Sequence, residues 1–297
     1  MNDIKPDFGI KAEILLEALP YIKRYQGRTI VIKYGGNAMI DEKLKTAVIK
    51  DIVLLAFIGI RVVLVHGGGP EIDAMLKKTG KESRFIKGLR YTDEETMEIV
   101  QMVLAGKVNK EIVSLIEYAG GKALGICGID GALLKAERLT MENEDLGFVG
   151  QIREVNGRML DSILSMNIIP VIATVAMGIG DDEGHSLNIN ADTAAAEIAV
   201  AMEAEKLILM TDVRGIMRDI NDESSLINKI GYNELETLKK DGIVNKGMIP
   251  KVDCCQRALS GGVAKTHIID GRIPHSLLAE LFTDEGVGTV ILKKEKL

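Results

Sequence analysis

The stretch Thr29-Ile30-Val31-Ile32-Lys33-Tyr34-Gly35-Gly36-Asn37-Ala38 is the most informative part of the chain. A β-branched run ends in a lysine, two glycines follow, and a helical pattern begins beyond them. β-Branched side chains suit a pleated strand. Glycines at its end let backbone N–H groups approach an anion where the next helix presents its positive pole. Lys33 adds a full charge at the same place, so Gly35 and Gly36 read as half of a phosphate site. The spacing is not that of a Walker A loop, which requires Gly-x4-Gly-Lys-Ser/Thr, and alone the segment also reads as an ordinary strand–helix turn.

Outward from it, Val62-Val63-Leu64-Val65-His66-Gly67-Gly68-Gly69-Pro70 repeats the device. Three glycines leave an apolar strand, and Pro70 falls where the first turn of a helix tolerates it. Two such turns after neighbouring strands could hold two anionic groups, or the two ends of one transferred phosphoryl. From Thr29 onward strands and helices alternate. Strands are expected at 29–34, 61–66, 122–127, 168–173, 206–210, 266–269 and 288–293. Helices are expected at 41–58, 70–79, 93–118, 156–166, 192–203, 232–241, 249–260 and 275–282, with a hairpin over 133–155. This pattern predicts an α/β fold with a mainly parallel sheet covered on both faces. Such sheets bind ligands beyond the carboxyl ends of their strands, where both glycine turns lie. Ahead of the first strand, Ile10, Ile14, Leu15, Leu19 and Ile22 recur at helical spacing, interrupted by Pro20, and predict an appended amphipathic helix over 10–25.

Composition narrows the class. The 297 residues carry a formal net charge of −6, with 46% hydrophobic and 27% charged residues. That balance argues against a nucleic-acid surface, and it gives weight to any cation standing beside a glycine turn. The apolar stretch 52–60 is about half the length needed to cross a bilayer, so no membrane role is expected. Cys127, Cys254 and Cys255 form neither a disulfide framework nor a zinc spacing. With no signal-peptide layout at the N-terminus, a cytoplasmic protein is expected.

Four further constellations carry chemistry. Arg90 in Gly88-Leu89-Arg90 stands before a helix and suits bidentate capture of a carboxylate, or else it pairs with Asp93 or Glu94. Asn188, Asn190 and Asp192 open a helix. Asp192 alone reads as an N-cap, but three polar groups exceed what a cap needs, so Asn188 is expected to face a ligand and Asp192 to fix cationic partners. Thr211-Asp212-Val213-Arg214-Gly215 follows a strand end and reads either as a nucleotide contact or as a plain loop. In Lys246-Gly247-Met248-Ile249-Pro250-Lys251, Pro250 is expected at the first helical position. Lys251 would then oppose the helix dipole unless an anion sits between them. His66, His185, His267 and His275 have no metal-ligand spacing, and His66 reads as a structural donor.

Taken in order, Lys-Tyr-Gly-Gly-Asn-Ala-Met, His-Gly-Gly-Gly-Pro, Gly-Leu-Arg, Asn-x-Asn-Ala-Asp and Gly-Met-Ile-Pro-Lys-Val resemble the amino acid kinase family, over nearly the whole chain from about residue 28. The likeness is nearest to its arginine-sensitive branch acting on N-acetyl-L-glutamate. It implies a three-layer αβα sandwich divided into an appended helix (1–26), an acyl-substrate and dimerisation lobe (27–178) and a nucleotide lobe (179–297). It also implies phosphorylation of the γ-carboxylate of N-acetyl-L-glutamate by ATP, with Mg2+ carried by the nucleotide. By motif, Lys33, Lys251 and Asp192 would be catalytic. Gly68, Gly69, Arg90, Asn188 and Asn190 would bind the acyl substrate. Gly35, Gly36, Thr211, Asp212, Gly215, Lys246 and Met248 would bind ATP. L-Arginine would inhibit a homohexamer, a trimer of dimers, through Tyr25, His267, Glu280, Gly286 and Gly288. One departure stands out: Thr174-Val175-Ala176-Met177 replaces the family's usual proline and glycine after strand 168–173. A related N-acetyl-α-aminoadipate kinase and a non-catalytic nucleotide sensor are the competing readings.

Overall fold

The computed structural model describes residues 8–141, 144–245, 247–284 and 286–293. In chain order, α1 (Phe8–Tyr25) precedes β1 (Thr29–Tyr34), α2 (Glu42–Phe57), β2 (Arg61–His66) and α3 (Gly69–Lys78). A short hairpin, β3 (Phe85–Ile86) and β4 (Leu89–Arg90), leads to α4 (Glu94–Gln101). A π-helical stretch (Met102–Val108) joins α4 to α5 (Asn109–Tyr118), and β5 (Ala123–Cys127) follows. Next come β6 (Leu134–Arg138), β7 (Gly150–Val155), α6 (Gly157–Ser165), β8 (Ile169–Ala173), β9 (Val175–Gly178) and β10 (Ser186–Asn188). The C-terminal part holds α7 (Ala191–Ala201), β11 (Lys206–Thr211), β12 (Lys229–Gly231), α8 (Leu235–Lys240), α9 (Met248–Ser260), β13 (Lys265–Asp270), α10 (Ser276–Phe282) and β14 (Thr289–Leu292).

Eight strands form one sheet in the order β12-β14-β13-β11-β1-β2-β8-β5, parallel except where β13 meets β14. All six residues of β1 are buried, as a strand covered on both faces requires. Alternation divides the core in two. Val31, Val63, Val65, Leu207 and Leu209 pack on one face, and Ile30, Ile32, Leu64, Ile208 and Met210 on the other. Each fully buried branched side chain contributes roughly 1.5–3 kcal/mol before entropy is charged. Because β1, β2, β8, β11 and β13 run parallel, their carboxyl ends share one sheet edge. There Gly35, Gly67, Thr174, Asp212 and Gly271 begin the loops.

The elements expected from periodicity are present, with local differences. Asp41 and Asp93 stand outside their helices as N-caps, accepting from Lys43 and Leu44 N–H and from Thr96 N–H respectively. The expected helix 93–118 is interrupted by the π stretch, which a 3.6-residue period cannot reveal. A second sheet, β10-β9-β6-β7, was expected only as the β6–β7 hairpin, because β9 and β10 are too short to show an alternating pattern. Pro20 stands inside α1 as expected. That helix leaves Leu15, Leu16 and Leu19 exposed and is pinned by Tyr21, whose ring packs on Phe282 and whose hydroxyl donates to Asp284 at 2.7 Å.

Candidate active site

Lys33 is the last residue but one of β1, Asp192 stands in the first turn of α7, and Lys251 in the first turn of α9. They meet in one cluster. Lys33 Nζ lies 3.1 Å from Asp192 Oδ1, and Lys251 Nζ lies 2.7 Å from Asp192 Oδ2. Asp192 is available because Asn190 caps α7, its Oδ1 accepting from the Asp192 and Thr193 N–H groups at 2.9 and 3.1 Å. The cap read at Asp192 therefore belongs to Asn190. Burial pushes the Asp192 carboxyl up, but the Lys33 and Lys251 charges outweigh it and hold the group at about 2. Pro250 is the third residue of α9 rather than the first, since the helix starts at Met248. It remains harmless because the first N–H groups of a helix have no intrahelical acceptor.

Glycine is required beside this cluster. A Cβ on Gly35 would lie 2.6 Å from Lys33 Nζ and would displace the ammonium that folds back over the turn. Gly36 has φ +73°, and a Cβ there would lie 2.5 Å from Asp212 Oδ1. Asp212 in turn accepts from Asn37 N–H at 2.7 Å.

A cavity of about 190 Å3 opens alongside. Gly68, Gly69, Arg90, Asn188, Asn190 and Thr174 line it together with apolar Ile72 and Leu104. It reaches Ala191, the residue before Asp192. Arg90 is 8% exposed and does not pair with Asp93 or Glu94. Its Nη1 contacts Asp73 Oδ1 and Ser83 Oγ, each at 2.6 Å, and its Nη2 donates to Gly69 O at 3.3 Å. Asp93, the alternative partner read from sequence, takes Lys81 instead at 2.6 Å. Asn188 Nδ2 donates to Thr92 Oγ1 at 3.1 Å, which leaves its carbonyl oxygen for a ligand. The departure from the family pattern falls in this wall: Thr174 is 1% exposed, and its carbonyl accepts from Ile189 N–H at 3.0 Å.

Two further cavities gather several of the remaining expected residues. Gly215 and Met248 line one of about 430 Å3 with Val213, Met217 and Asn245. Thr211 and Asp212 do not line it: Thr211 Oγ1 donates to Val213 O at 2.9 Å, and Asp212 braces the Gly36 turn. Lys246 lies outside the described residues. Tyr25, His267, Glu280, Gly286 and Gly288 line the other, of about 150 Å3. Glu280 is no solvated helix residue. His267 Nδ1–H donates to its Oε1 at 2.6 Å, and the Val287 and Gly288 N–H groups donate to its Oε2 at 2.8 and 3.1 Å. Burial alone would raise this carboxyl, but those donors hold it below the usual range. Sequence reading missed Lys206 here, since a lysine opening a strand shows no pattern of its own. It is 3% exposed with its ammonium 4.9 Å from the Tyr25 ring centroid, and burial lowers it to about 8.

His66 is fully buried and burial lowers it to about 4, against an ordinary 6.5. A histidine depressed in the native state contributes stability that is complete above 6.5 and lost as pH falls toward 4, because the unfolded chain takes the proton first. Thermal melting is therefore expected to drop progressively over that window, and less steeply in His66→Asn. Parallel curves for the two proteins would contradict it.

Two glycine turns and a buried Lys–Asp–Lys cluster stand together at the carboxyl ends of parallel strands in this α/β protein. Residues 28–270 match the amino acid kinase family, and the chain belongs to that family. Acetylglutamate kinase from Heliobacterium modesticaldum is 54% identical over 292 residues, spanning 95% of this chain and 98% of that protein. The protein of the same name from Caldanaerobacter subterraneus is 55% identical over 293 residues, 98% of this chain and 97% of its own. Among solved structures, N-acetylglutamate synthase from Neisseria gonorrhoeae, complexed with coenzyme A and N-acetyl-glutamate, superposes with a TM-score of 0.84 at 28% identity. That match covers 95% of this chain and 63% of the synthase chain.

Proposed function

We propose that this protein transfers the γ-phosphoryl group of ATP to the γ-carboxylate of N-acetyl-L-glutamate, giving N-acetyl-L-glutamyl 5-phosphate in arginine biosynthesis. The observation that carries the reading is the Lys33–Asp192–Lys251 bridge at the edge of the glycine-lined cavity. Mere nucleotide binding needs no paired ammonium groups held by one buried carboxylate. The acceptor carboxylate is already a nucleophile, so no general base is required. One of its oxygens bonds to the γ-phosphorus as the bond to the ADP oxygen breaks, and charge spreads over the equatorial oxygens. Lys33 and Lys251 stabilise that charge and Asp192 positions both. Gly35, Gly36, Gly215 and Met248 follow the nucleotide in this reading, and Gly68 and Gly69 offer amides to the acyl group. Arg90 grips the α-carboxylate while Asn188 meets the N-acetyl end. Magnesium enters with the ATP phosphates, as a cation that keeps much of its water shell commonly does. In the same reading residues 27–178 form the acyl lobe and 179–297 the nucleotide lobe.

A hydroxamate assay with ATP, magnesium and a panel of N-acetylated acids tests this. N-Acetyl-L-glutamate is expected to be the best acceptor. One extra methylene costs only about 1–3 kcal/mol, so N-acetyl-α-aminoadipate should react more weakly. No acyl phosphate with any acid would reject the reaction, and a preference for the longer acid would reject the acceptor. Arg90→Lys keeps the charge and loses the bidentate fork. It is expected to raise KM for the acyl substrate about tenfold or more with little change for ATP. An equal rise for both would remove Arg90 from the substrate site.

We also propose that L-arginine inhibits the enzyme at the Tyr25–Glu280 cavity of a hexamer joined through α1. Buried Glu280 suits a guanidinium or ammonium group, Lys206 a carboxylate, and the exposed Leu15, Leu16 and Leu19 suit helix pairing. Deleting residues 1–26 should leave an active dimer that ignores arginine. A full-length dimer that also ignores it would reject this proposal.

A further inference from the structure

The turn that offers Gly68 to the acyl cavity is held from behind by groups the mechanism above does not use. His66 Nδ1 lies 2.8 Å from Gly67 O, and His66 Nε2 lies 3.1 Å from Asn109 Nδ2. Asn109 is fully buried at the start of α5. Its amide is oriented by its neighbours: Lys110 Nζ donates to its Oδ1 at 3.0 Å, and its Nδ2 faces acceptors only, Val171 O at 2.9 Å and Ile126 O at 3.3 Å besides His66. The Nδ2 group therefore faces His66 as a donor. His66 Nε2 must accept, so Nδ1 carries the proton and donates to the Gly67 carbonyl. Protonating Nε2 would set it against that donor, consistent with the depressed pKa of the buried ring.

The Gly67 carbonyl and the Gly68 N–H belong to one trans peptide, in which the two bonds point in opposite directions. The carbonyl is turned toward His66, which does not line the cavity, whereas Gly67, Gly68 and Gly69 do. No acceptor among the described residues takes the Gly68 N–H. A side chain at Gly68 would meet Leu104 Cδ2 at 2.6 Å, so the turn packs closely against the cavity wall.

We propose that Asn109 and His66 are positioning residues: by holding the Gly67 carbonyl they aim the Gly68 N–H into the cavity, where it steadies the reacting carboxylate. Resting on the acyl-kinase reading above, the relay assigns work to two residues that touch no substrate. Preorganised donors of this kind cost nothing to reorient during the reaction.

Paired substitutions of His66 test it. Asparagine can place an amide N–H where Nδ1 stands, whereas glutamine places its amide where Nε2 stands. His66→Asn is expected to retain most of the turnover. His66→Gln is expected to lose about 10²-fold in kcat, the size of one lost oxyanion donor, with KM for ATP unchanged. Equal losses in both variants, or a more active glutamine variant, would overturn the relay. A second measurement avoids variants that fail to fold. In the unmodified, 15N-glycine-labelled protein, the Gly68 amide resonance should move downfield when N-acetyl-L-glutamate is added. A resonance that stays fixed at saturating ligand overturns the proposal. An unmodified protein that makes no acyl phosphate rejects the reaction itself, whereas an active one whose asparagine and glutamine variants match rejects only the relay.

Discussion

Lys33→Ala and Lys251→Ala are each expected to lower turnover by about 10²-fold or more while leaving the fold intact. The size follows from removing one preorganised charge beside a transferring phosphoryl. Both lysines stand near element ends, Lys33 near the carboxyl end of β1 and Lys251 in the first turn of α9, so truncation removes no apolar core side chain. Each substitution also leaves Asp192 one partner. Because the two cations act on one charge, the double variant should lose less than the product of the single losses. Initial rates of acyl hydroxamate formation at saturating substrates measure this directly. Turnover within a few-fold of the unmodified enzyme in either variant would take that lysine out of the transition state.

Asp192→Asn is expected to damage stability as well as rate. The substitution keeps the shape and removes the charge, leaving two ammonium groups facing a neutral amide in a site where the carboxylate side chain is only 9% exposed. Breaking a buried ion pair from one side costs roughly 3–5 kcal/mol, and turnover should fall at least as far as in either lysine variant. The sign of its pH dependence is fixed by the depressed carboxyl, held at about 2 against an ordinary 3.8. Its stabilisation is complete above the ordinary value and lost as pH falls toward 2. The melting-temperature gap between the two proteins should therefore stay constant across neutral pH and close only in strong acid. High salt should barely change it, because buried pairs are poorly screened. Co-melting of the variant and the unmodified protein at pH 7 would show that the cluster stores no stability.

The strand ends were the most legible part of this chain. Lys33-Tyr34-Gly35-Gly36 and His66-Gly67-Gly68-Gly69-Pro70 each combine strand periodicity with glycines that open a turn, so element type and boundary could be read together. Arg90 read either as a carboxylate ligand or as the partner of a nearby acid such as Asp93 or Glu94; the partners it has, Asp73 and Ser83, were not legible, because they come from another helix and loop. Asn109 went unread for a similar reason. A buried asparagine in a helical run shows no signal until β2, β5 and β8 are brought beside it.

Strand–helix alternation sufficed for the α/β class and the mainly parallel sheet, and glycines beside cations marked candidate phosphate turns. Those depend on local periodicity, glycine conformation and helix polarity, all written within a few neighbouring residues. Packing alone brings Lys33 and Lys251, far from Asp192 along the chain, onto its one carboxylate, as the family resemblance implied. It also decided that Asn190 rather than Asp192 caps its helix, and that Glu280 is buried against His267 and two backbone amides. Each of these depends on which elements pack side by side, and the burial and charge that follow from packing have no periodicity to read.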